Sequence, residues 1–248
     1  MTSADKSVLD EYDLGGVNCL KCANTGRIIE QGPGLLDLRV RECSCMRLRR
    51  SLRSLRKAGM SDMARRFTME NYIADTSHRK NVKKIAEDFI NSDSGWFFIG
   101  GQSGSGKTHI CTAICNKLME KESAELVFMP WRDDSMALKT GFRDREWYQA
   151  KITKLKRVPV LYIDDLFKGG VTEADVKLAF EILNARYNDT GLRTVISCEL
   201  DLDGIMKIDE AVGGRIYERS RGFTVKAPTE NYRLKDELAD CGGKQCKR

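Results

Sequence analysis

The stretch "GGQSGSGKTH" fits the phosphate-binding pattern G-x-x-x-x-G-K-[ST], read from Gly101 to Thr108. It follows the apolar run "WFFI" and leads into a helical pattern, which is the context that a phosphate loop requires. Glycines let the backbone N–H groups point at phosphate oxygens, and the start of the helix adds its positive dipole end. The residues predicted to bind ATP are Gly101, Gly104, Ser105, Gly106, Lys107 and Thr108.

Two aspartates end the apolar segment "VPVLYIDDL". A carboxylate at the end of a buried strand beside a phosphate loop is where Mg²⁺ is held. We therefore predict that Asp164 and the Thr108 hydroxyl bind magnesium, while Lys107 reaches the terminal phosphates. Asp165 would position or deprotonate the attacking water. The alternative is a strand that ends in a solvated turn.

Two further segments hold candidate residues for the γ-phosphate. "TVISCEL" is predicted to be the next buried strand, and Ser197 or Glu199 at its tip would read the γ-phosphate. "GGRIYERSRG" places Arg215 and Arg219 four residues apart, on one face of a helix. A guanidinium from a neighbouring subunit would stabilise charge that develops on the phosphate. An ordinary strand end and surface arginines in ion pairs are the alternatives.

The chain has nine cysteines, and four of them form a C-x₂-C, then C-x-C arrangement: Cys19, Cys22, Cys43 and Cys45. Four thiolates suit a closed tetrahedral Zn²⁺ site, although the C-x-C half is tighter than the usual C-x₂-C. Four reduced structural thiols are the alternative. Cys111 and Cys115, four residues apart on a predicted helix, are assigned to the core.

Basic charge is concentrated in one segment beside these cysteines. Residues 41–66 hold nine basic and two acidic residues, a net charge of +7 in a chain whose total is +6. Leu48, Leu52 and Leu55 form one stripe of a predicted helix over residues 46–58. Such a segment suits phosphate backbones or an acidic partner, and a solvated helix face is the alternative.

A second segment interleaves aromatic and basic residues. Between Pro130 and Lys156 the sequence places Trp131, Arg132, Lys139, Phe142, Arg143, Trp147, Tyr148 and Lys151. Aromatic rings can stack on bases while cations follow the phosphates, which makes this region a candidate surface for single-stranded DNA. Ordinary packing of two helices explains the aromatic residues as well.

Helical patterns alternate with short apolar strands from about Asn81 onward. Strands without inside–outside alternation, separated by helices, predict an α/β fold with a parallel sheet covered on both faces. We divide the chain into a flexible tail (1–18), a zinc-binding module with a basic helix (19–66) and an ATPase core (67–248), with a connector at 61–75. No membrane span or secretory signal is expected, so we predict a cytoplasmic protein.

These motifs together resemble AAA+ ATPases, and most closely the DnaC/DnaI type of replicative helicase loader. The resemblance runs from about Phe67 to Leu238 and includes "GQSGSGKTH", "LYIDDLFK", "TVISCEL" and "DEAVGGRIYERS". It implies a P-loop core with an absent or minimal lid, where Arg233 would partly replace a lid arginine. It also implies that the N-terminal module docks onto a hexameric replicative helicase, that the core holds single-stranded DNA, and that copies of the chain assemble.

The resemblance has one departure. Most AAA+ proteins end the aspartate strand in Asp-Glu, and here it is Asp164-Asp165. The shorter carboxylate predicts slow ATP hydrolysis, which suits a switch rather than a motor. Two alternative functions stay open: an IstB-type ATPase that assists DNA transposition, and an adaptor that binds ATP without hydrolysing it.

Overall fold

The computed structural model describes residues 19–32, 38–46, 49–50, 53, 60–122 and 124–229. The predicted tail at 1–18, the leucine stripe of Leu48, Leu52 and Leu55, and Arg233 lie outside these residues. No helix in the described part is both long enough and apolar enough to cross a membrane.

The first strands form a two-stranded antiparallel hairpin, β1 (Arg27–Gln31) and β2 (Leu38–Glu42). The sequence indicated only turn formers in this region, so the hairpin was not predicted. Both strands are short, and one face carries the exposed side chains of Ile29, Leu38 and Val40. The other face is nearer the cysteines, because Ile28 packs against them.

The central sheet has five strands: β3 (Trp96–Gly100), β4 (Leu126–Pro130), β5 (Val160–Leu166), β6 (Arg193–Cys198) and β7 (Thr224–Lys226). Their spatial order is β4-β5-β6-β3-β7, and every pair is parallel. The carboxyl ends of all five strands therefore meet at one edge. β3 and β5 are neighbours of β6 on opposite sides, so the phosphate loop after β3 and the aspartates of β5 flank the same strand.

Helices cover both faces of this sheet, which confirms the predicted α/β architecture. They are α1 (Ser61–Arg66), α2 (Ser77–Asn91), α3 (Lys107–Glu122), α4 (Trp131–Gly141), α5 (Arg145–Arg157), α6 (Glu173–Tyr187), α7 (Leu202–Ile208) and α8 (Glu210–Arg219). Alternate residues of β3 join different cores: Phe97 and Ile99 pack with α2 and α3, whereas Trp96 and Phe98 pack with α5, α6 and α8. The sheet is therefore buried on both sides.

The segment before α2 differs from the prediction. Residues 61–75 were expected to be a connector, but α1 occupies the first six of them. Met60 is fully buried in the core beneath α2 and α3, and the Asn116 side chain of α3 donates to the carbonyls of Ala64 and Phe67. Apolar Met60 and Met63 contribute to this packing. The charged residues at the end of α1 made the segment look like an exposed connector in the sequence.

Candidate functional site

The phosphate loop joins β3 to α3. Gly104 and Gly106 have φ values of +77° and +89°, a left-handed conformation that glycine adopts at little cost. The Ser105 hydroxyl donates to the carbonyl of Gln102 at 2.8 Å, which closes the turn. Because α3 begins at Lys107, the N–H groups of its first turn and the positive end of its dipole face the phosphate loop.

Lys107 folds across this loop. Its Nζ donates to the carbonyl oxygens of Gly101 (2.7 Å) and Gln102 (2.8 Å), and burial lowers the pKa of the ammonium group. Neutral carbonyls are weaker partners for a cation than phosphate oxygens are. The structure thus places the lysine where a terminal phosphate would compete for it.

Asp164 lies at the centre of the site. Its Oδ1 accepts hydrogen bonds from the hydroxyls of Tyr162 (2.5 Å), Ser197 (2.6 Å) and Thr108 (3.4 Å). Burial raises the pKa of Asp164, and the Ser197 and Tyr162 hydrogen bonds oppose that rise. Adjacent ligands of an octahedral Mg²⁺ with bonds of about 2.1 Å lie about 3 Å apart, so Thr108 and Asp164 fit the same ion.

Asp165 sits in a bulge of β5. The register with β6 shifts between Ile163 and Leu166, and Asp165 has a φ of +53°, which is rare for a residue other than glycine. Its N–H donates to Ser197 Oγ at 2.8 Å. Its Oδ2 is 2.6 Å from Nζ of Lys168, which is also 3.3 Å from Oε1 of Glu199. The bulge turns consecutive aspartates toward different partners.

Ser197 and Glu199, the two candidates at the end of β6, lie in different surroundings. Ser197 is fully buried and bridges the two aspartates through its hydroxyl. Glu199 is 42% exposed and reaches the site only through Lys168. The structure thus joins Ser197 directly to the proposed magnesium carboxylate and leaves Glu199 at the rim.

An aromatic cavity of about 300 Å³ adjoins the phosphate loop. Phe67 stacks on His109 with ring centroids 4.9 Å apart, and Tyr72 meets the same ring edge-on at 5.4 Å. His109 Nε2 is 3.0 Å from the carbonyl of Thr68, and burial lowers the pKa of the imidazole. These rings make an apolar wall beside Lys107 and Thr108, of the kind that holds a flat heterocycle.

The two candidate arginines lie elsewhere. Arg215 donates to Asn184 Oδ1 at 2.9 Å and stacks on Phe180 of α6, with its guanidinium carbon 4.5 Å from the ring centroid. Arg219 donates to the carbonyl of Thr190, and its own carbonyl approaches Gly95, the residue before β3. That is the edge where the strands begin, whereas the phosphate loop lies where β3 ends. The structure does not bring either arginine to the phosphate loop of its own chain.

The four N-terminal cysteines form one cluster. All four sulfur atoms lie within 4.8 Å of one another, with 3.7 Å between Cys19 and Cys43 and 3.5 Å between Cys22 and Cys45. A disulfide needs about 2.05 Å, whereas sulfurs around a tetrahedral Zn²⁺ with Zn–S bonds of about 2.3 Å lie about 3.8 Å apart. The tight C-x-C half reaches the cluster because a turn at Cys43 brings Cys45 back. The residues present fit zinc.

One member of the basic segment belongs to this cysteine cluster. The guanidinium of Arg49 is 2% exposed and donates to the backbone carbonyl (2.9 Å) and the side-chain oxygen (3.1 Å) of Asn24. Asn24 in turn accepts from the N–H of Cys19 at 2.8 Å. Arg49 is therefore a structural part of the cysteine module, so its charge does not lie on the exposed basic surface.

The aromatic and basic residues of the candidate surface for single-stranded DNA, on and between α4 and α5, fall into two groups. Four have partners within the chain: Trp131 is buried against Phe167, Lys139 pairs with Asp175, Tyr148 donates to Glu181, and Lys151 pairs with Asp134. Four are exposed: Arg132, Phe142, Arg143 and Trp147. Phe142 is 70% exposed and Trp147 is 41% exposed, so both rings present a face to solvent.

Several site residues were not found from the sequence. Tyr162 lies within the apolar run of β5, so the sequence gives no sign of its hydroxyl's role. Phe67 and Tyr72 lie far from the phosphate loop along the chain. Lys168 lies three residues past Asp165, and its nearness to the phosphate loop depends on left-handed residues that the sequence does not reveal. The only available signal is the pair of glycines, Gly169 and Gly170, which indicates an unusual turn.

Known proteins are similar to this chain in sequence and in fold. The sequence profile of the family described as IstB-like ATP binding protein matches residues 33–239. An uncharacterised protein of Bacillus subtilis, YqaM, is 32% identical over 223 residues, which is 82% of this chain and 68% of that protein. The replicative helicase loader DnaC of Escherichia coli is 23% identical over 176 residues, or 68% of this chain and 69% of the loader.

A solved structure shows the same architecture. The crystal structure of the DnaC helicase loader superposes with a TM-score of 0.60 at 20% sequence identity, over 67% of this chain and 99% of that chain. Identity at this level shows a shared fold. It confirms the predicted parallel sheet flanked by helices.

Proposed function

Because this chain belongs to the family of IstB-like ATP-binding proteins, we propose that it uses ATP to load the replicative DNA helicase onto single-stranded DNA at the start of replication. Relatives named replicative helicase loader DnaC support this reading. The sequence matches that loader over about two thirds of each chain. We propose that the core uses ATP, and that the chain binds both the helicase and single-stranded DNA.

One observation carries the proposal: Thr108, Asp164 and Ser197 meet within hydrogen-bond distance beside the phosphate loop. A hydroxyl and a carboxylate that lie close together beside a glycine-rich phosphate loop suit a nucleoside triphosphate with its magnesium ion. The phosphates would lie on Gly101, Gly104, Ser105, Gly106 and the N-terminus of α3. The base would enter the cavity walled by Phe67, Tyr72 and His109.

Each polar group then has a role in hydrolysis. Thr108 and Asp164 would hold a magnesium ion, which would neutralise charge on the phosphates. Asp165 would orient the attacking water and accept its proton. Ser197 fixes both aspartates at once, because its hydroxyl donates to one carboxylate and accepts from the N–H of the other. An Asp at position 165 has a shorter reach than the usual Glu, so turnover is expected to be slow.

Arg215 and Arg219 would act between copies of the chain. Both lie on α8, away from the phosphate loop of their own chain, so only the site of a neighbour is available to them. Arg215 would have to leave Asn184 and Phe180 to reach it. Assembly of copies would thus complete the site and couple oligomer formation to bound ATP.

The N-terminal module, residues 19–66, would dock onto the helicase. Its cysteine cluster suits zinc, which would fix the hairpin and the turn at Cys43 in place. Exposed Ile29, Leu38 and Val40 on one face of the hairpin supply apolar contact area. The end of this region, α1, packs on α3 and would tie the module to the ATPase core of residues 67–248.

Single-stranded DNA would follow the exposed edge of α4 and α5. Phe142 and Trp147 offer stacking surfaces, and Arg132 and Arg143 offer charge for the phosphates. Arg132 approaches Gly169, in the turn that follows the aspartates of β5. The turn that carries Lys168 would therefore lie between the proposed DNA surface and the proposed ATP site.

A helicase-loading assay tests the proposal. The replicative helicase of the same cell is added to a forked DNA whose single strand is covered by a single-strand-binding protein, and unwinding is measured with and without this protein. We expect unwinding to require the protein and ATP, and Lys107→Ala to abolish both ATP binding and loading. Failure to stimulate any helicase, with specific capture of a transposase instead, would favour the transposition ATPase. Loading with ATP bound but not hydrolysed would identify the adaptor.

A further inference from the structure

The cavity beside the phosphate loop carries a second lysine. Lys168 lines it together with Lys107, Gly104 and Thr108. The Nζ of Lys168 is 2.6 Å from Oδ2 of Asp165 and 3.3 Å from Oε1 of Glu199. The side chain is 38% exposed, so the ammonium group keeps access to the cavity while it rests between two carboxylates.

An unusual turn holds Lys168 in this place. Asp165 and Phe167 have φ values of +53° and +66°, a left-handed conformation that side chains rarely adopt. The N–H of Lys168 donates to the carbonyl of Asp165 at 2.9 Å. Phe167 is buried and meets the ring of Trp131 edge-on at 5.4 Å, which anchors the turn. The backbone is thus fixed, and the long side chain returns toward the aspartate that precedes it.

The charges of the site show why a second cation matters there. Among the described residues that line the cavity, the lysines are Lys107 and Lys168, and no arginine is present. The arginines of α8 bond to groups on other elements. A triphosphate brings more negative charge than one lysine and one magnesium ion balance, so its last phosphate favours a further cation within reach.

We propose that the ε-ammonium group of Lys168 binds the terminal phosphate of ATP within its own chain and thereby distinguishes ATP from ADP. This inference rests on the proposed ATP site. The triphosphate draws Lys168 away from Asp165 and frees its carboxylate. When the terminal phosphate is absent, as in ADP, Lys168 returns to Asp165 and Glu199.

The exchange also serves the chemical step. The oxygen of water bonds to the γ-phosphorus while the bond between that phosphorus and the β–γ bridging oxygen breaks, giving ADP and inorganic phosphate. The water proton passes to the freed carboxylate of Asp165 and then to solvent. While Lys168 is paired with Oδ2 of Asp165, that carboxylate is occupied and does not reach the water, so the lysine keeps the site inactive until a triphosphate is bound.

Nucleotide titrations of the full chain test this proposal. Affinities for a non-hydrolysable ATP analogue and for ADP are measured with Mg²⁺ for the wild type, Lys168→Met and Lys168→Arg. Lys177→Met serves as the control, since Lys177 is 74% exposed and pairs with Glu173 one helical turn away. We expect Lys168→Met to lose about tenfold or more in affinity for the triphosphate, the effect of one charge-assisted bond, and less than twofold for ADP. Lys168→Arg should recover most of the loss.

A second pair of variants removes one ambiguity. Loss of Lys168 also leaves Asp165 to repel phosphate, which by itself weakens triphosphate binding. In an Asp165→Asn background that repulsion is absent, so direct contact predicts that Asp165→Asn/Lys168→Met still binds the triphosphate about tenfold more weakly than Asp165→Asn. Equal affinities of these two variants, or equal losses for ATP and ADP in Lys168→Met, would overturn this inference alone. Wild-type protein that binds neither nucleotide would overturn the proposed function as well.

Discussion

The hydroxyl oxygen of Tyr162 lies 2.5 Å from Oδ1 of Asp164, two residues further along the same strand. Alternate residues of a strand share a face, so Tyr162 and Asp164 both lie on the side of the sheet covered by α3, whose first turn contains Thr108. The ring is fully buried. A tyrosine in an otherwise apolar strand thus gives the proposed magnesium carboxylate a hydrogen-bond donor inside the core.

Tyr162→Phe tests this support for the carboxylate. The variant removes a donor that lowers the pKa of Asp164, while the burial that raises this pKa remains. We expect the Mg²⁺ concentration for half-maximal ATP binding to rise about tenfold, as for loss of a hydrogen bond to a charged group. Tyr187→Phe is the matched control, because its hydroxyl bonds to Glu218 on the surface. An unchanged Mg²⁺ requirement would show that the tyrosine only fills space.

Ser197→Ala separates ATP binding from hydrolysis. Its hydroxyl joins Asp164 to the backbone of Asp165, so its loss should disturb the alignment of the two carboxylates more than the phosphate contacts. We expect kcat for ATP hydrolysis to fall about tenfold or more and nucleotide affinity to change by less than about threefold. Ser135→Ala is a control, because that buried serine lies on α4. Equal loss of binding and turnover would contradict the assignment.

Zinc content tests the cysteine cluster. The sulfur distances predict one Zn²⁺ per chain, and Cys43→Ser should lose that metal together with the folded N-terminal hairpin. Cys115→Ser should keep it, since Cys115 is buried in the ATPase core. Metal analysis of purified protein and circular dichroism during chelation provide the measurements. A metal-free protein with an intact hairpin would contradict the zinc site.

Phe142→Ala tests the proposed DNA surface. Stacking of one base on an aromatic ring contributes about 1–3 kcal/mol, so affinity for an oligothymidine should fall about fivefold or more. Met136→Ala is a suitable control, because Met136 is exposed to a similar extent on α4, the helix that ends just before Phe142. Fluorescence anisotropy at fixed salt measures both. Identical affinities of the two variants would place the DNA elsewhere.

The local patterns of the sequence were sufficient to predict the core and the first contacts of its site. Four apolar strands, which form β3, β4, β5 and β6, and the helices between them were predicted from these patterns, whereas the short strand β7 was not. Parallel strands necessarily bring the phosphate loop and the aspartates of β5 to one edge. The same reasoning places Thr108, Asp164 and Ser197 together. These predictions depend on residues whose neighbours in space are fixed by the order of strands.

The remaining features depend on contacts that no local pattern shows. Lys168 approaches the site only because Asp165 and Phe167 adopt left-handed conformations, which their residue types disfavour. Phe67 and Tyr72 reach His109 only because α1 packs on α3. Trp131 and Lys139 were predicted to be available for DNA, but Trp131 is buried against Phe167 and the ammonium group of Lys139 is paired with Asp175.

The central claim is that this ATP-binding protein holds a replicative helicase, and its most direct test is size-exclusion chromatography with light scattering. The full chain is mixed with the replicative helicase of its own cell, with and without Mg²⁺ and ATP. We expect a stable complex that forms with wild-type protein and is lost in Cys43→Ser. Absence of any complex in every nucleotide condition, from protein that binds ATP, would contradict the loader function.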